Sequence, residues 1–210
     1  MLLRAEPPLA AELIEGWMTV ADVGCYGWRL ADCCKKAGAI LVGVDTVEPP
    51  NRPSFASYAE AKNGRIDLPE GIADMVVASH VLEHITEPVK FFLEITRITR
   101  PGGLLWLESP SEMSAQTIGT SDAQDHTFES FWDDPTHVRP WTPASLYRLS
   151  LSCGCVPEAI GRTDAEGIPS VRMVARKPQD WLRRGKPRYV SLRGVQGGVE
   201  SAWNHVWGSN

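Results

Sequence analysis

TVADVGCYGW, residues 19–28, opens as an apolar run and closes in a polar, glycine-bearing turn. A strand over Thr19–Gly24, with its end at Asp22-Val23-Gly24-Cys25-Tyr26-Gly27, reads as the first half of a βα unit, and the pattern repeats outward from it. Strands are expected at Ala39–Asp45, Ala73–Ser79, Leu104–Ser109, Val156–Arg162 and Val171–Arg176. Helices belong near Leu9–Glu15, Arg29–Ala37, Glu87–Thr99 and Pro143–Cys153. Phe91, Phe92, Ile95 and Ile98 give the third helix a sheet-facing side, and Pro101-Gly102-Gly103 stops it. The central strands are almost unbroken in apolar residues, as strands covered on both faces are; half-exposed strands would alternate. The fold class is therefore α/β: a three-layer, doubly wound, mainly parallel sheet.

The 210 residues allow one compact domain, and with 43% hydrophobic and 22% charged residues the chain is neither disordered nor fibrous. No apolar stretch approaches the roughly 18 residues a membrane span needs. Glu6, Glu12 and Glu15 interrupt any leader-like segment, so the cytoplasm is the expected location. The net charge of -5 is uneven: residues 179–210 carry +3, which leaves -8 on the rest. An acidic body argues against gripping a phosphate backbone, so no nucleic-acid partner is expected. We divide the chain into a domain over 1–178 and a basic tail over 179–210, whose Trp181, Trp203 and Trp207 suit docking onto a surface, a second copy of the chain included. Five cysteines do not make a disulfide framework; Cys33, Cys34 and Cys153 fit helical apolar faces, and Cys153 with Cys155 lacks a second ligand pair at a zinc-site spacing.

Two stretches break the alternation. Glu48–Arg65, with Pro49, Pro50 and Pro53, reads as loop with at most one short helix in Ser57–Lys62. Pro110–Pro140 is a long polar loop, of the kind that is usually functional inside a compact domain.

In a doubly wound sheet, ligands bind beyond the carboxyl ends of the strands. Three strand ends here carry polar residues: Asp22-Val23-Gly24-Cys25, Gly43-Val44-Asp45, and Ser79-His80 before Val81-Leu82-Glu83-His84. A carboxylate at the second of these, Asp45, is placed to hold a ribose diol. The stretches VADVGC, LVGVD, ADMVVASHVLEH and ITRPGGLLWLESP, in this order and at these intervals, resemble the class I S-adenosylmethionine-dependent methyltransferases over about residues 18–178. The resemblance implies a Rossmann-like methyltransferase sheet and S-adenosyl-L-methionine as cofactor. Asp22, Gly24, Cys25 and Gly27 then belong to the cofactor loop and Asp45 to the ribose contact. Ile66, Asp67 and Leu68 flank the adenine, and Ser79 and His80 approach the sulfonium. The stretch from Asp134 to Cys155 looks like the corresponding region of bacterial methyltransferases of surface-glycan and natural-product assembly, which points to a small-molecule or saccharide acceptor.

The loop departs from the family's D-x-G-x-G-x-G: Tyr26 and Trp28 stand where the second and third glycines belong. Tyr26 is expected to force a different turn and to lay its ring over the methionine end. The connection after Asp45 is expected to lack the usual helix and third strand. A domain whose cofactor pocket has closed, serving as an interaction module, is the alternative this loop raises.

His137 is the leading candidate for catalysis with His80 beside it, because a hydroxyl acceptor needs a base and a long loop can close over the strand ends. His80-Val81-Leu82-Glu83-His84 also matches H-x-x-E-H, the pattern of a zinc hydrolase with both His on one helix face, against the simpler reading that the stretch starts the next helix. A similar Glu-His pair with a further His in some small-RNA methyltransferases adds a metal alternative at His80, Glu83, His84 and His137.

Overall fold

The computed structural model describes residues 7–116, 130–163 and 168–181. Eight strands form one sheet in the order β4-β3-β2-β1-β5-β6-β8-β7, with β1 Thr19–Val23, β2 Ile40–Asp45, β3 Ser57–Lys62, β4 Arg65–Ile66, β5 Ala73–Ser79, β6 Thr99–Pro110, β7 Val156–Thr163 and β8 Ser170–Arg176. From β3 to β6 neighbouring strands are parallel. The antiparallel pairings are β4 on β3 and β8 on both β6 and β7. Spatial order reverses at β1, which has β2 on one side and β5 on the other, so the loops after β1 and β5 diverge and leave a crevice between them.

The continuous apolar strands sort into two layers by alternation. Ala21, Val23, Val42, Val44, Val76, Ala78, Leu105 and Leu107 pack on one side with α3 (Pro88–Ile98) and α4 (Pro143–Ser152). Val20, Leu41, Met75, Val77, Leu104 and Trp106 pack on the other with α1 (Ala10–Leu13) and α2 (Ala31–Ala37). Helix α3 starts at Pro88, a favoured first position, and ends at Ile98, three residues before Pro101. In α4, Thr142 caps the first turn by accepting from Ser145 N at 2.9 Å. Lys177, at the end of β8, is fully buried and donates to Thr96 O (2.9 Å) and Thr99 O (2.7 Å) at the C-terminus of α3, under the ring of Trp181.

The region after Asp45 corrects the expectation. A third strand is present, β3, parallel to β2, and a hairpin returns it as β4 through Asn63 (φ 54°) and Gly64 (φ 74°). The helix that would precede it is indeed missing; the Pro-rich segment runs to β3 without one, and Tyr58 Oη donates to Asp45 O at 2.9 Å across the junction. Nor does Val81-Leu82-Glu83-His84 begin the next helix: Leu82–His84 is a single separate turn. The tail beyond Trp181, with Trp203 and Trp207, lies outside the described residues.

Candidate functional site

The loop after β1 turns sharply because Gly24 (φ 78°) permits a left-handed backbone, and Gly24 N and Cys25 N both donate to Val44 O, at 2.8 and 3.3 Å. Space matters as much as conformation: a Cβ on Gly24 would lie 2.3 Å from Val81 Cγ2. The turn continues through Gly27 (φ 73°) and Trp28 (φ 54°), so Trp28 and not Tyr26 carries the positive φ of a missing glycine. The Trp28 ring is buried under β2, where Gly43 leaves room for it; a Cβ there would sit 2.4 Å from Cζ3. Tyr26 is 77% exposed at the rim. The larger ring thus lies in the apolar layer beneath the sheet, while Tyr26 stands exposed among the residues that line the cleft at the strand ends.

Two clefts meet over this loop. The first, about 490 Å³, lies between the ends of β1 and β2, the β3–β4 hairpin and the start of α3, with Asp45, Thr46, Asn63, Ile66, Ile85 and Phe91 among its walls. Asp45 accepts from Thr46 N through Oδ1 at 2.7 Å, and no hydrogen bond to Oδ2 is found among the described residues. The hairpin wall is held by α3: Glu94 Oε1 accepts from Ile66 N at 2.7 Å, and Arg97 donates to Ile66 O (2.9 Å) and Leu68 O (2.8 Å) while paired with Glu94. Ile66 reaches the cleft, but Asp67 and Leu68 do not line it. Asn63, Gly64 and Arg65 stand there instead, and the Asn-Gly turn signal at 63–64 would have found them. Cys25 and Asp22 lie beneath the cleft rather than in it. Burial pushes the Cys25 thiol up to about 12, and burial, with Asp45 adding to it and Arg29 opposing, pushes the Asp22 carboxyl up to about 7.

The second cleft, about 660 Å³, shares Gly24, Asp45, Val81 and His84 with the first and extends past Ser79, His80, Asp134 and His137. His80 sits at φ 54° with its N–H on Glu108 O (2.9 Å), its Nδ1 3.4 Å from Glu83 Oε1 and its Nε2 3.9 Å from Glu108 Oε1. Burial alone would lower its pKa, but the Glu83 and Glu108 carboxylates outweigh that and raise it, so the site favours the protonated ring. Glu108 is in turn paired with the buried Arg172 at 2.6 Å. His137 is different. Its Nδ1 lies 2.6 Å from Phe131 O, and a carbonyl only accepts, so Nδ1 carries a hydrogen, while Nε2 faces Asp134 Oδ2 at 3.8 Å, beyond hydrogen-bond distance. Val138 N donates to Glu83 O at 2.7 Å, which fixes the His137 loop against the Leu82–His84 turn.

The zinc-hydrolase arrangement does not form, since the left-handed His80 lies outside any helix and shares no helix face with His84. Of the four metal-alternative residues, Glu83, His84 and His137 bring donor atoms within 4.8 Å of one another, and His80 is left out.

Residues 2–158 match the family described as a methyltransferase domain. A ubiquinone biosynthesis O-methyltransferase of Methylococcus capsulatus is 30% identical over 122 residues, 51% of this chain and 52% of that protein. An uncharacterized methyltransferase of a Mycobacterium species is 34% identical over 103 residues, 45% of this chain and 40% of that protein. The chain thus spans about half, or less, of the length of these curated relatives. Among solved structures, an S-adenosylmethionine-dependent methyltransferase from Mesorhizobium loti shares the fold with a TM-score of 0.62 at 17% identity, over 79% of this chain and 94% of that one. So does 1,6-didemethyltoxoflavin-N1-methyltransferase from Burkholderia thailandensis, solved with bound 1,6-didemethyltoxoflavin and S-adenosylhomocysteine, with a TM-score of 0.58 at 19% identity over 77% of this chain and 71% of that one.

Proposed function

From a chain that belongs to the methyltransferase family, we propose S-adenosylmethionine-dependent O-methylation of a small molecule or a saccharide. The observation that carries this reading is the pair of clefts joined at Gly24 and Asp45, one bounded by a carboxylate with a free oxygen and the other by an imidazole whose Nε2 lies beyond hydrogen-bond distance of Asp134. S-adenosyl-L-methionine, when bound, supplies a methyl group on a good leaving group. The residues fit it: Asp45 receives the ribose hydroxyls, the Asn63–Ile66 hairpin walls the adenine, and Gly24 lets the cofactor approach the backbone. Methyl transfer is an in-line displacement, so the chain's largest contribution is to hold the acceptor oxygen in line. His137 Nε2 takes the acceptor's proton, and the bond from Nδ1 to Phe131 O stabilises the ring as it becomes cationic. The open clefts favour this over a non-catalytic interaction module, which needs Tyr26 and Trp28 to fill the pocket.

Calorimetric titration with S-adenosylhomocysteine tests the binding half. Asp45→Ala is expected to weaken it by about 1.5–3 kcal/mol, the range for a hydrogen bond to a charged group, with the melting temperature unchanged. For the chemistry, His137→Ala is expected to lower turnover by roughly 10²–10⁴-fold with cofactor affinity retained. An unaltered affinity in the first variant sinks the ribose assignment, and full turnover in the second sinks the base.

A further inference from the structure

The amino ends of the parallel strands, opposite the clefts, carry an apolar surface that the methyltransferase reading does not use. Trp17 lies just before β1, Ile40 opens β2 and Ile72 lies just before β5, three neighbouring strands, and they are 60%, 58% and 42% exposed. Ile40 N donates to Met18 O at 2.9 Å, and the Arg100 guanidinium lies 5.5 Å from the centre of the Trp17 ring while paired with Asp74 of β5, so the three strand ends form one surface. Single exposed apolar residues are ordinary, but a tryptophan and two isoleucines on adjacent strand ends mark a contact surface. Its rim is acidic: exposed Glu15 accepts from Trp17 Nε1, and exposed Glu70 stands two residues before Ile72.

The chain's own tail leaves the sheet at this end. Arg176 is level with Leu104, Leu104 with Met75 and Met75 with Val20, so β8 finishes near where β5 and β1 begin. Lys177 N then donates to Gly103 O at 3.0 Å, and the Trp181 Nε1 donates to Cys153 O at 3.1 Å. From β8, β1 lies three strand spacings away and β2 four, a gap of about 14–19 Å. Residues 182–198 include Gly185, Gly194, Gly197 and Gly198, and a flexible linker of that length has an r.m.s. span of about 20–25 Å. Beyond it, Val199, Ala202, Trp203, Val206 and Trp207 follow the i, i+3, i+4, i+7, i+8 spacing of one apolar helix side. Residues 182–210 hold five basic residues and one acidic, opposite in sign to the rim.

We propose that residues 199–207 dock on the Trp17, Ile40 and Ile72 surface of their own chain, with the basic linker passing Glu15 and Glu70. The occupant is the same chain because a linker whose span is close to the gap holds the tail at high local concentration beside the surface. Trp203 and Trp207 supply large rigid area of the kind that anchors an interface. The surface lies at the opposite end of the strands from Gly24 and Asp45, so this docking stands or falls apart from the methyltransferase reading.

Hydrogen exchange of the full chain, read by mass spectrometry, tests it. Replacing both tryptophans, Trp203→Ala with Trp207→Ala, should speed exchange about tenfold in residues 15–19, 70–73 and 199–207. Ile72→Asp should release 199–207 to the same extent while the amides of β1 and β6 stay protected. Trp17→Ala, at an exposed position, covers the case in which Ile72→Asp fails to fold. Urea midpoints give a second measure: a surface variant and the tail variant should together lower the midpoint by less than the sum of their separate effects, because each removes the same contact. Exchange in 15–19 and 70–73 unmoved by the tail variant, exchange in 199–207 unmoved by Trp17→Ala, or additive midpoints overturn the docking. Protection that grows with protein concentration, together with a dimer in sedimentation, overturns the same-chain assignment and gives the surface to a second copy.

Discussion

Asp22 is a carboxylic acid buried beneath the clefts. Burial raises its pKa from 3.8 to about 7, with Arg29 opposing and Asp45 reinforcing. A raised carboxyl pKa means that the protonated form stabilises the fold: the contribution is complete below about pH 4 and is lost as pH rises through about 7. Asp22→Asn is neutral throughout and lacks that slope. Urea midpoints at pH 5 and pH 7.5 should therefore fall more for the natural protein than for the variant; parallel changes would contradict the shift. At this scale the sequence was readable where chemistry alone places a residue, as with Gly24, Asp45, Ser79, His80 and His137, which all line the clefts. It was unreadable where packing decides. Nothing local pairs Trp28 with Gly43, yet that contact explains why a tryptophan tolerates φ 54° in a glycine's place.

The elements show the same division. The helices and central strands were legible because their periods differ and their apolar runs are long. Strand β3 was not: Ser-Tyr-Ala-Glu-Ala-Lys at 57–62 serves a helix as well as a strand, and only pairing with β2 settles it. The family resemblance puts Asp67 and Leu68 beside the adenine, but neither lines the cleft: Asp67 N donates to Glu60 O and the chain turns away, which depends on the hairpin's register and not on local sequence. What holds that wall is α3 through Glu94 and Arg97, a partly buried pair with five hydrogen bonds on carbonyls, an amide and each other. Arg97→Ala removes two carbonyl contacts and the partner of Glu94. S-adenosylhomocysteine affinity is expected to drop about tenfold, with helix content by circular dichroism unchanged. An unaltered affinity would show that the hairpin holds its place without the clamp.

Over the whole molecule, the sheet's parallel centre follows from the apolar runs, but the placement of the last strand does not. β8 pairs with β6 from Leu104–Arg176 to Pro110–Ser170 and with β7 from Val156–Arg176 to Thr163–Ser170. It separates two strands that precede it in the chain, and among the described residues β7 pairs only with β8. Lys177 then binds its end to α3. Truncation after residue 169 should thus remove more than one edge: β7 loses its neighbour, and the chain should lose its cooperative urea transition, where a truncation after 181 keeps it. Space and time run in different orders here. A ribosome making this chain releases β7 before β8, the strand it pairs with, so that part of the sheet waits until residue 176 has emerged. Among the described strands the last to be synthesised is a wedge rather than a border, so this part of the sheet can close only once that strand has arrived.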